Sequence, residues 1–337
     1  MESNAKVVII GGGVVGCSIL FHLSKFGLKD CILLERNELT SGSSWHAAGN
    51  VHVISSDPNI SRLMAYTINL YKEIEETSGH SVGMKQHGGF YLASNHIWHD
   101  YLKRERSKAR YMGLEQEFIS LKEVTKKNPL IDPKHYIAAL WDPIDAEVDP
   151  TGVTYAYAKS AKIHGGKYYT HTPVLETNQR NDGSWDIITE KGNINAEIII
   201  NAAGLWAREV GKLAGINFPI QPMEHHYLIT ESIPEIEALD EDKRLPVGTD
   251  FDGNIYFRQE GKGMLLGTYE AISTPWQIHQ TPLNFGHELL EPKIENIQDR
   301  LAIGFKRIPA LEKAGIKNII NGPFTFGPDG NPLIGPV

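Results

Sequence analysis

Cysteine is nearly missing from this chain: Cys17 and Cys31 are the only two in 337 residues. Two cysteines so close to one end exclude a disulfide framework and a cysteine-based metal site. They read as small buried apolar residues of a reducing compartment. Long apolar runs are missing as well. None approaches the ~20 residues that span a bilayer, so membrane insertion is not expected. Basic excess is absent: 33 Lys and Arg stand against 41 Asp and Glu, a formal net charge of −8. That balance speaks against a nucleic-acid partner, which needs a basic face. The first strand is expected to start around Lys6, and five residues before it are too few for a targeting peptide, so a cytoplasmic location is expected. Repeats and low-complexity tracts are also lacking.

What is present is a chain long enough for two domains or one bilobed unit. Val7 to Ile10 is a short apolar run of the kind that forms a buried parallel strand. Ile19, Leu20, Leu23 and Phe26 then recur at helical spacing, with Gly27 suited to the helix end. Cys31 to Leu34 is a second apolar run. Residues 40 to 57 are rich in Ser, Gly, Asn and His and read as a loop. Ile60, Leu63, Met64, Thr67, Leu70, Tyr71 and Ile74 mark one helix face ending near Gly79. Strand-like runs follow at Gly89 to Ala93 and Ile137 to Trp141, around a charged helical stretch near Lys103 to Arg110. Asp149 and Pro150 read as N-cap and first residue of another helix. Val174 to Ala196 holds two short strand-like runs around the turn signal Asn181-Asp182-Gly183. Ile198 to Asn201 reads as a further buried strand. From 220 onward the pattern is mostly strands, with a helix near 290 to 304.

Gly11-Gly12-Gly13-Val14-Val15-Gly16 carries the spacing G-x-G-x-x-G between the first strand and its helix. Gly11 permits the tight turn, Gly13 lets backbone approach a pyrophosphate, and Gly16 lets helix and strand pack closely. The helix N-terminus then offers free N–H groups to the phosphates. Glu35 stands at the end of the second strand, where its carboxylate can accept ribose hydroxyls. Strand, glycine turn, helix, strand and acid together point to a dinucleotide site. NAD and FAD share this fingerprint.

Leu39-Thr40-Ser41-Gly42-Ser43-Ser44-Trp45-His46-Ala47-Ala48-Gly49 resembles a segment of the dimethylglycine and sarcosine dehydrogenase family, FAD enzymes of the glycine-oxidase-like type. The resemblance covers essentially the whole chain. It implies FAD, with His46 bonded through an imidazole nitrogen to the 8α carbon of the flavin, and it places Arg36, Ser43, Ser44, Trp45 and Ala47 at the cofactor. Ile199-Ile200-Asn201-Ala202-Ala203-Gly204-Leu205-Trp206-Ala207 resembles the family's second FAD segment. By family position Val174 lies on the adenine side and Trp206 against FAD. The segments 326–330 and 332–336 resemble the loop that passes over the flavin. The family continues beyond this point, so the resemblance is to its flavin portion.

On the substrate side, alternation puts His225 and Tyr227 on one strand face and His226 on the other, and Tyr256 with Arg258. The resemblance implies that His225 and Tyr256 line the pocket in front of the flavin as catalytic residues. Adjacent strand histidines point apart, so no metal is expected. Asp142, Asp145, Glu147 and Asp149 read as loop and cap residues.

The expectation is therefore an α/β chain with a Rossmann-like FAD-binding domain (1–85, 146–216 and 320–337) and a second, mostly antiparallel β-sheet substrate domain (86–145 and 217–319). The expected activity is oxidative demethylation of a small N-methylated amino acid such as dimethylglycine or sarcosine. Electrons would pass to an acceptor, an electron-transfer flavoprotein or oxygen. A related amine oxidase, or a non-catalytic regulatory or fragment relative of the fold, is the alternative.

Overall fold

Two sheets organise the computed structural model, which describes residues 2–240 and 243–337. The first is built on Asn4–Ile10, whose neighbours are the parallel strands Cys31–Leu34 and Gly192–Asn201. Lys167–Tyr169 extends it beyond Cys31–Leu34. The antiparallel strands Trp185–Thr189 and Val174–Gln179 extend it on the other side. The helices Val14–Lys25, Pro58–Ser78 and Pro150–Ile163 cover one face, burying Val7, Ile9, Leu20, Phe21, Leu33 and Ile74 among themselves. A second apolar layer under the other face joins Val8, Ile10, Ile32 and Leu34 to Ile187 and Ile194.

The second sheet has eight strands, in the spatial order Ile316–Phe326, Gln221–Thr230, Gly263–Thr268, Ile255–Glu260, Val247–Asp250, Gly89–Ala93, Ala138–Asp142 and Glu117–Ile119. All its pairings are antiparallel except that of Val247–Asp250 with Gly89–Ala93. Its core gathers Phe90, Leu92, Leu228, Phe257, Met264 and Leu266 under the helix Gln298–Arg307.

Caps place several boundaries. Asp149 accepts from the N–H of Thr151 with Pro150 at the first helical position, as its sequence predicts. Asp57 caps the long second helix, which Gly79 ends in the left-handed conformation. Asn95 accepts from Trp98 N–H and starts the charged helix at His96, well before the stretch its charges suggest.

Five expectations need correction. The third strand of the 174–201 stretch begins at Gly192 instead of Ile198, because a second tight turn at Glu190-Lys191 ends the run before it and returns the chain into a ten-residue strand. That strand is not fully buried. Ile198 is half exposed, since the helical layer reaches over its partner Val7 and stops short of it. Residues 269–289 are irregular instead of strand-like, and the helix expected near 290 to 304 runs from Gln298 to Arg307. The strand Ile316–Phe326 pairs along its length with Gln221–Thr230 in the second sheet, although 320–337 reads as part of the dinucleotide side.

Candidate functional site

The glycine turn after the first strand has the geometry its spacing implies. Gly11 sits at φ +118°, and a Cβ there would overlap the carbonyl of Ala202; a Cβ on Gly16 would overlap that of Gly11. Gly13 is the N-cap of the helix, with no side chain of its own to cap it and no acid in the first turn. An uncapped, acid-free N-terminus favours an anion. Ser44 Oγ accepts from Val14 N–H at 3.0 Å, tying the 40–50 loop to this turn. Val15 beside it is exposed.

Glu35 is buried at the strand end. Its Oε2 accepts from Gly12 N–H at 2.6 Å and its Oε1 from Asn37 N–H at 2.8 Å. These bonds fix the carboxylate and leave lone pairs for ribose hydroxyls. Arg36 lies with its guanidinium 3.8 Å from the centre of the Trp206 ring and donates to the Phe285 carbonyl at 2.7 Å. Its Nη1 is buried and unpartnered, and burial lowers its pKa. Trp206 in turn packs on Phe285 and donates to the Pro282 carbonyl. Val174 is half-buried where its strand begins, packed on the apolar layer that holds Ile10 and Leu34.

The loop 40–50 runs from this turn to the second sheet. Ser43 Oγ donates to the Pro323 carbonyl at 2.7 Å. His46 is buried against Gly322, where any Cβ would overlap its ring. Tyr227 donates to the His46 carbonyl at 3.0 Å, and Arg258 Nε to that of Ala48 at 2.8 Å. Ala47 between them is exposed. Burial lowers the His46 pKa to about 4, so the ring is neutral at physiological pH. Its Nε2 and the Nε1 of neighbouring Trp45 are buried without hydrogen-bond partners. Unpartnered buried polar atoms are costly. Here they adjoin the route from the glycine turn, and a large cofactor with polar edges is the group they fit.

His225 and Tyr256 come together, by a longer route than their spacing suggests. The strand Gly263–Thr268 lies between theirs, so the two strands are not neighbours. Tyr256 reaches across it because position 267 is glycine, where a Cβ would overlap the tyrosine ring. The two rings stack with centroids 6.3 Å apart, and the Tyr256 hydroxyl lies 3.4 Å from His225 Nε2. Tyr269 and Phe324 complete the aromatic surround of His225, each 5.1 Å from it. Burial holds the Tyr256 phenol protonated far above its ordinary range.

Sequence reasoning missed Glu270, which hydrogen-bonds both His225 and His226. No spacing links a residue of an irregular segment to a strand 45 positions earlier. The acids near 145 are also more than loop residues. Asp142 and Asp145 are buried, Asp145 accepts from Tyr91 at 2.6 Å, and burial raises both pKa values. Glu147 holds Arg244 and Arg258. Arg258 is thereby committed to Glu147, Glu260 and the Ala48 carbonyl. Both cysteines are buried and free. Among the described residues no group of three or more His, Cys, Asp or Glu is arranged to hold a metal, and no helix is long and apolar enough to cross a membrane.

Comparison with known proteins agrees with this geometry. Mitochondrial dimethylglycine dehydrogenase of Mus musculus is 39% identical over 340 residues, covering 99% of this chain and 39% of its own length. Human mitochondrial sarcosine dehydrogenase is 33% identical over 341 residues, covering 99% of this chain and 36% of that protein. The chain thus spans about two fifths of the length of these relatives. Among solved structures, L-proline dehydrogenase from P. horikoshii superposes with a TM-score of 0.86 at 27% identity, covering 100% of this chain and 86% of that one. The family model "FAD dependent oxidoreductase" matches residues 6–337, and the chain belongs to that family.

Proposed function

We propose that this chain is the flavin-bearing part of an enzyme that oxidatively demethylates a small N-methylated amino acid, with dimethylglycine or sarcosine as substrate. The observation that carries the reading is the His225–Tyr256 pair, set on the sheet face that also receives the His46 loop.

FAD, when bound, supplies the hydride acceptor. The amides around Gly11, Gly13, Val14, Val15 and Gly16 would hold its pyrophosphate, and Glu35 its ribose. Val174 would meet the adenine side, and Arg36 with Trp206 would flank the cofactor. Ser43, Ser44, Trp45, His46 and Ala47 would line its ring side. His46 would bond to the flavin through Nε2, the ring nitrogen that has no partner.

The substrate amine must be neutral before a hydride leaves its methyl carbon. His225 accepts that proton at Nε2, and the Tyr256 hydroxyl holds the amine or carboxylate in line. Arg258 is tied into its own ion pairs and is not needed for the substrate carboxylate. The acceptor of the electrons is an electron-transfer flavoprotein or oxygen. Both curated relatives are mitochondrial by name, which gives the cytoplasmic expectation no support.

The test is the rate of flavin reduction by dimethylglycine and by sarcosine, in the full natural chain that binds FAD. His225→Ala should slow it by ~10²–10⁴, the usual cost of removing a proton acceptor. Tyr256→Phe should cost less, about tenfold. A parent flavin that neither amine reduces refutes the substrate class, and unchanged rates in both variants refute the site.

A further inference from the structure

Glu270 lies two residues beyond the strand Gly263–Thr268, with its side chain 5% exposed. The ladder between that strand and Gln221–Thr230 stops at the pair Tyr227–Gly267, so the N–H of His226 has no strand partner. Glu270 fills that place. Its Oε1 accepts from His226 N–H at 3.0 Å and from His226 Nδ1 at 2.8 Å, while its Oε2 takes His225 Nδ1 at 3.2 Å. From the strand edge one carboxylate thus reaches side chains on both faces.

An ionised carboxylate can only accept, so each ring carries its proton on Nδ1. His226 confirms this independently, because its Nε2 accepts from Lys293 N–H at 3.3 Å. The same tautomer at His225 leaves Nε2 bare, facing the Tyr256 hydroxyl. Tyr256, Tyr269 and Phe324 also surround that ring, and none of them is an anion.

We propose that Glu270 is the positioning residue of this site: it fixes the His225 tautomer that presents a proton-accepting Nε2 to the substrate amine. The inference rests on the reading of His225 as the base. In the step it serves, an N–H bond of the substrate ammonium breaks and an N–H bond forms at Nε2. The positive charge moves onto the imidazole, where the Glu270 carboxylate faces it. Burial alone would raise the carboxyl pKa, but the hydrogen bonds from His225 and His226 outweigh it and hold it at about 2.

Glu270→Gln tests this with almost no change of shape. The backbone N–H of His226 can only donate, so the amide oxygen must stay on that side. The amide NH₂ then meets His225 Nδ1, which must become an acceptor and move the proton to Nε2. The substitution therefore inverts one tautomer and leaves the other. In serine proteases the same exchange at the orienting acid gives the wrong tautomer and lowers kcat by about 10⁴.

The experiment is ¹⁵N NMR of histidine-labelled full chain, with the His225 signals identified by their loss in His225→Asn. It is paired with flavin reduction by dimethylglycine and sarcosine. The expected result is Nδ1–H at His225 in the parent and Nε2–H in Glu270→Gln. Reduction should slow by ~10²–10⁴ with the flavin spectrum unchanged, and Glu270→Asp should recover part of the loss. A parent His225 protonated on Nε2 overturns the proposal, and that measurement needs no variant to fold. A Gln variant that reduces flavin at the parent rate also overturns it. If neither amine reduces the parent flavin, the substrate reading fails, and the tautomers alone decide the role of Glu270.

Discussion

The Tyr256 ring lies across Gly267, and a side chain at that position would occupy the space of the ring. The glycine is the opening through which a residue two strands away meets His225. Gly267→Ala should therefore act as a lesion of Tyr256. Overpacking a filled site costs about 1–3 kcal/mol of stability, which urea unfolding measures. Flavin reduction should slow about tenfold, as in Tyr256→Phe, because one positioning hydrogen bond is lost. If the double variant Gly267→Ala/Tyr256→Phe is slower than either single variant by the product of their effects, the two act separately and this account fails.

Gly322 bears on His46 in the same way. It is the register partner of His225, and the His46 ring rests on it. Gly322→Ala should displace that ring while leaving the glycine turn intact. After acid precipitation the parent pellet should stay yellow and the variant should release its flavin to the supernatant. The native variant should still take up FAD reversibly. Flavin retained in the variant pellet argues against a bond at His46.

Much of the dinucleotide half was legible because its determinants are local. The glycine spacing, the acid at the strand end and the Asp149-Pro150 cap each lie within a few residues of what they control. The antiparallel half was legible only as strand-like runs. Alternation correctly separated His225 from His226, but strand order is a matter of long-range pairing. It could not show that Gly263–Thr268 lies between His225 and Tyr256. Nor could it show Glu270, whose role depends on where one ladder stops. The burial of Asp142 and Asp145 depends on Gln116 and Tyr91, partners supplied by other elements.

Glu147 supplies a stability prediction. It pairs with Arg244 and with Arg258 at 3.4 Å, and all three side chains are at most 15% exposed. Glu147→Gln leaves two guanidinium groups short of their shared anion. Breaking a buried pair from one side typically costs 3–5 kcal/mol, about that much in the free energy of urea unfolding. Because Glu147 touches neither His225 nor Tyr256, the rate of flavin reduction per folded, flavin-bound molecule should stay near that of the parent. A large rate loss with unchanged stability would assign Arg258 to the substrate instead.

His46 predicts a pH dependence whose sign follows from its burial. The folded ring has its pKa lowered from 6.5 to about 4. Above pH 6.5 neither the folded nor the unfolded chain protonates it, and its contribution to stability is constant. Between pH 6.5 and about 4 the unfolded chain binds a proton that the folded chain refuses, so stability falls with falling pH. Below about pH 4 both are protonated and no further loss arises from this group. From pH 6.5 to 5 the loss is about 2 kcal/mol, at 1.36 kcal/mol for each of 1.5 units. The measurement is urea unfolding of flavin-free protein at pH 7 and pH 5, for the parent and for His46→Gln. Burial also lowers the pKa of His52 and His87, so both proteins should lose stability on acidification. The difference between them isolates His46. The parent should lose about 2 kcal/mol more than the variant. Equal losses would mean that the ring is solvated in the flavin-free protein, and that its burial arises only once the cofactor is in place.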